Sequence, residues 1–102
     1  MKERERKDPQ ERKEQILQAG IKLAIRHGYH AVTREDVARE VSVSVGLVSK
    51  YFFTMAQFKR VILSAAIDRG IVEIIAQGIS LHDPLTSKLT PALRNKIKAL
   101  FD

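Results

Sequence analysis

The 102-residue chain has no cysteine, which excludes disulfides and thiolate metal sites and leaves the redox compartment open. Long apolar runs are missing too. The most apolar stretch, Val61 to Ile79, is broken by Asp68, Arg69, Glu73 and Gln77, so it is no membrane span. The N-terminal MKERERKDPQERK is basic but has no apolar segment behind it. That excludes a secretory signal and makes a cytoplasmic location the expectation. His27 and His30 flank a helix end and His82 stands alone in a loop, so no metal and no cofactor is expected. Glycine-rich phosphate loops and nucleophile–base pairs are also absent, which argues against an enzyme. The most informative absence is local. From Val41 to Ile67 there is no Asp or Glu, while Lys50, Lys59 and Arg60 are present.

What is there suits one domain with a modest core. The formal net charge of +6 favours a polyanionic partner such as nucleic acid. Asp8-Pro9-Gln10-Glu11 is a helix start, with Asp8 as N-cap and proline at the first helical position. Ile16, Leu17, Gly20, Leu23 and Ala24 recur at helical spacing until Gly28. Gly20, in mid-helix, reads as a point where another helix approaches closely. Thr33 caps a second helix carrying Val37, Ala38 and Val41 inward. Val41-Ser42-Val43-Ser44-Val45 alternates as a strand would, but no stretch offers it a partner strand. The reading adopted makes Val41–Val43 a turn and Ser44 the N-cap of a third helix ending near Tyr51. Thr54 and Gln57 open a fourth helix expected to run to about Gln77, before Gly78. Its first half bears the stripe Phe58, Val61, Ile62 and Ala65. Thr90-Pro91 opens a last, basic helix. The expected organisation is thus a charged arm over 1–8, a helical domain with a long fourth helix over 9–79, and a loop with a packing or dimerising helix over 80–102.

The residues Ile16-Leu17, Ala19-Gly20, Gly28-Tyr29, Thr33, Asp36-Val37-Ala38, Val43-Ser44, Gly46, Val48, Tyr51-Phe52 and Phe58 together resemble the N-terminal DNA-binding domain of the TetR family. The resemblance implies an all-α, three-helix bundle with a helix-turn-helix, followed by a long fourth helix. Three positions depart from the family pattern: Val41-Ser42 where the turn usually has Ala-Gly, Ser49 where an aromatic is common, and Met55 where a lysine is common. Family members usually continue into a ligand-binding, dimerising domain of about another hundred residues. The short chain therefore resembles a stand-alone DNA-binding form, with no small-molecule effector expected.

In a helix-turn-helix the second helix enters the major groove with its N-terminal residues against base edges. That assigns Val45, Gly46 and Leu47 to the base side, with Lys50 and Arg34 as candidates for polar readout. Leu47 reads equally as a core residue, and Val48 as core. Thr33, Ser44, Ser49 and Tyr51 are placed for phosphate contacts, alongside a capping role for Thr33 and Ser44. Lys2, Arg4, Arg6 and Lys7 read as a disordered tail, with entry into the minor groove as the alternative. A second apolar stripe, Ile67, Ile71, Ile74 and Ile75 with Gly70 permitting close approach, is assigned to homodimerisation. The expected function is a sequence-specific regulator of double-stranded DNA, a repressor on a pseudo-palindromic operator. The rival reading is a basic adaptor or architectural module that binds an acidic protein, or DNA without specificity.

Overall fold

The computed structural model describes residues 8–101; the charged tail, apart from Asp8, lies outside them. All regular structure among the described residues is helical: α1 (Pro9–His27), α2 (Arg34–Val41), α3 (Val45–Tyr51), α4 (Met55–Arg69), α5 (Val72–Ser80) and α6 (Pro91–Leu100), with short 3-10 turns at Tyr29–Ala31 and Pro84–Lys88. The expected caps are in place. Asp8 accepts from the Gln10 and Glu11 amides, Thr33 from Asp36, Ser44 from Leu47, Thr54 from Gln57 and Thr90 from Leu93. Each satisfies amides that a helix start leaves without partners. The VSVSV segment is no strand, because Ser44 closes a cap and Val48 plunges fully into the core.

Three helices end alike. Ser42, Gly70 and His82 take positive φ of 59°, 70° and 57°. The amides of Val43, Ile71 and Asp83 then reach back to the carbonyls of Ala38, Ala66 and Gly78 at 3.0, 2.9 and 2.9 Å. This is the Schellman closure, in which a left-handed residue lets the chain turn and occupies the last orphan carbonyls. Ser42 thus adopts the turn conformation that glycine normally supplies, so its departure from the family pattern leaves the turn intact.

The fourth helix does not run on to Gln77. It ends at Arg69, and Gly70 turns the chain into α5. Gly78 is no terminator: it sits within α5, where a Cβ would lie 3.0 Å from Leu63 Cδ1 and Thr86 Cγ2. The two glycines exchange their expected roles, Gly70 turning the chain and Gly78 allowing close packing. Gly20 performs as expected, since a Cβ there would lie 2.8 Å from Phe58 Cζ.

The bend at Gly70 corrects the dimer assignment in part. It swings α5 back onto α1 and α4, so Ile74 and Ile75 are buried in the chain's own core. Ile67 and Ile71 stay half-buried at its edge, and Gly70 is exposed. The core itself runs from Ile16, Ala24 and Val37 through Val48, Phe58, Ile62 and Leu63 to Ile74 and Ile97. Polar bonds fix the α5 docking: Gln77 donates to the Ala24 carbonyl at 2.9 Å and accepts from the Tyr29 amide at 2.8 Å. The Tyr29 hydroxyl donates to Asp83 at 2.8 Å.

Candidate nucleic-acid interface

The surface around α3 is set by which of its residues the core claims. Val48 is fully buried and Phe52, just past the helix, is nearly so, stacked on Phe58 with ring centroids 4.5 Å apart. That pairing leaves Val45, Gly46 and Lys50 facing solvent, with Leu47, Ser49 and Tyr51 half-buried on the flanks. Leu47 divides its surface between core and solvent, which matches its two competing readings. A Cβ at Gly46 would touch only its neighbour Ser44 Oγ, at 3.8 Å. Gly46 is therefore not needed for packing within the chain, and the bare backbone it gives the face suits close approach to a ligand.

Thr33 and Ser44 are both engaged as caps, at 3.1 and 3.0 Å. A hydroxyl that accepts from an amide still has its own proton to donate, so capping and phosphate contact are compatible at both positions. Asp36, on the same turn as Thr33, is paired locally. Its carboxyl is held below the usual range by hydrogen bonds from Thr33 and then Arg39, with Arg39 Nη1 at 3.0 Å.

Arg34 has a different position from the one its sequence context suggests. Its Nη2 donates to the Phe53 carbonyl at 2.9 Å, and its Nε is buried without a partner. The guanidinium ties the start of α2 to the turn between α3 and α4 through one of its five N–H donors. Lys50 is left as the exposed cation on α3 itself.

Two residues not singled out from the sequence share this surface. Lys13 of α1 brings its Nζ to 5.7 Å from the Phe52 ring centroid, a cation–π distance. Phe53, in the α3–α4 turn, is 74% exposed. The signal for Phe53 was the doubled aromatic Phe52-Phe53 before the Thr54 cap, where one ring must turn outward. The signal for Lys13 is tertiary and has no local trace. Elsewhere, no group of three or more potential metal ligands gathers among the described residues, and no described helix is long and apolar enough to cross a membrane.

Residues 16–58 match the family described as bacterial regulatory proteins, tetR family. The matched segment runs from the core of α1 to the first turn of α4 and holds the surface just described apart from Lys13. The chain is also 44% identical over 43 residues to the HTH-type transcriptional regulator HbdR of Aromatoleum sp. (strain CIB). That match covers 42% of this chain and 19% of the relative, so the chain spans about a fifth of that protein's length. No solved structure matches the chain.

Proposed function

We propose, taking residues 16–58 as a TetR-type N-terminal helix-turn-helix domain, that the protein is a transcriptional repressor binding a pseudo-palindromic operator as a homodimer. The coarser statement, a DNA-binding regulator, has the family match and the regulator relative behind it. The observation that carries the finer reading is the face of α3. Val48 and Phe52 lock the helix from below, and Val45, Gly46 and Lys50 project from a segment without a single acidic residue. A short helix so presented can offer a thymine methyl an apolar partner and a guanine edge or phosphate a cation. Homodimerisation rests on Ile67 and Ile71, which the fold leaves half-covered beside exposed Gly70.

Selection from a random duplex library tests specificity and symmetry together. The expected product is a two-fold symmetric site with half-site centres about 34 Å apart, or a multiple of that spacing. Random duplex competing as well as any selected site would overturn sequence specificity and favour an architectural role. Analytical ultracentrifugation with and without the selected site tests the dimer, and a monomer in both states overturns it.

A further inference from the structure

Phe53 is the most exposed of the large apolar side chains described, at 74%, and its exposure is imposed by the backbone around it. The Arg34 guanidinium holds its carbonyl at 2.9 Å. Its predecessor Phe52 is fixed against Phe58, and its successor Thr54 caps α4 through the Gln57 amide at 3.0 Å. With both neighbours anchored, the backbone at Phe53 is held in place, and the ring's contact with water is unfavourable. The surroundings are cationic. Lys50 is exposed three residues earlier, Lys13 sits over the adjacent Phe52 ring, and no acidic residue occurs along the chain from Val41 to Ile67.

A rigid apolar ring set among cations matches one feature of duplex DNA, the alternation of phosphate anions with apolar sugar faces along each strand. We infer that Phe53 is a further DNA-positioning residue, packing its ring on a deoxyribose at the rim of the groove that α3 enters. The inference rests on the DNA-binding reading and deepens it. The contact is sequence-independent: it sets how the domain sits on the backbone, while the α3 face reads bases.

The test compares the wild-type chain with Phe53→Ala and Phe53→Leu in fluorescence anisotropy, on the selected duplex and on a random one, across a salt series. Phe53→Ala is expected to weaken both duplexes by the same factor, about fivefold to tenfold for the partial burial of one ring. The slope of affinity against salt is expected to stay unchanged, because no counterion release is lost with an uncharged side chain. Phe53→Leu should retain most of the affinity, and the melting temperatures of all three should stay close because most of the ring is exposed to solvent. Unchanged affinity in Phe53→Ala overturns the inference. So does a loss confined to one base pair, or an altered salt slope. A wild-type chain that binds neither duplex overturns the DNA reading itself, which separates the two failures.

Discussion

Single residues on this surface divide into those the fold has spent and those it leaves free. Arg34 is tied to the Phe53 carbonyl by one bond, whereas Lys50 is exposed on α3 and no ion pair engages it among the described residues. Lys50→Ala is therefore expected to weaken binding to the selected duplex by about 1–3 kcal/mol without lowering the melting temperature. A loss concentrated at one base pair would identify base readout, and a uniform loss with a shallower salt slope would identify a phosphate contact. Ser42 presents the opposite case, a residue held against its own preference. An L-residue in the left-handed region is strained by about 1–2 kcal/mol, and glycine avoids that strain at some entropic cost. Ser42→Gly should thus stabilise the chain by roughly 0.5–1 kcal/mol, read as a higher midpoint in urea. An unchanged or lower midpoint would show that the serine carries a compensating role.

At the scale of elements, the segment from Pro9 to Thr54 was legible in the sequence, because every helix there begins with a side chain that caps it and α1 ends at Gly28. Asp8, Thr33, Ser44 and Thr54 act locally, and local signals survive without knowledge of the fold. The join between α4 and α5 was not legible for a physical reason. Gly70 and Gly78 are both glycines in an apolar helical pattern, and the residue type alone does not say which turns the chain and which makes room for a neighbour. Packing decides it: Leu63 and Thr86 close on Gly78, while nothing lies within 4 Å of a Cβ at Gly70. The same ambiguity misplaced Ile74 and Ile75, whose burial depends on the bend. Substitution separates the two roles. Gly70→Ala should cost about 1 kcal/mol through backbone strain alone, and Gly70→Asn should recover most of it, since asparagine tolerates the left-handed region. At Gly78 the order reverses. Alanine overpacks a filled site at about 1–3 kcal/mol and the larger asparagine is worse. Chemical denaturation of the four variants checks the pattern, and equal losses for alanine and asparagine at Gly70 would contradict a strain-only role.

Across the whole molecule, the helical units are tied together by groups whose protonation matters, and this sets a pH window for stability. Glu14 of α1 takes two bonds from Arg69 of α4, at 2.9 and 3.1 Å, and its carboxyl is held below the ordinary 4.5 by that guanidinium first and by Gln18 second. Lys22 does the same for Glu40, at 2.6 Å between α1 and α2. A carboxyl whose folded pKa is lowered contributes stability that is present above its unfolded value and is lost as pH falls through the folded one. These pairs are exposed, so each contributes little and salt screens it. The alkaline limit has a different origin. Burial first, then the hydrogen bond to Asp83 and its charge, push the Tyr29 phenol well above its ordinary 10.0. Its neutral form is the one that docks α5 and the following loop onto the end of α1. A raised folded pKa means this stability is full below the unfolded value and declines as pH rises through the folded one. Tyr29→Phe loses the hydroxyl bond at every pH but removes the group that titrates. Its unfolding free energy should therefore start lower at neutral pH and fall less between pH 9 and pH 11 than that of the wild type, so that the two curves converge. Urea titrations at three pH values across that interval measure the convergence. Parallel curves would show that the Tyr29–Asp83 contact does not couple α5 and the following loop to the N-terminal helices through this proton.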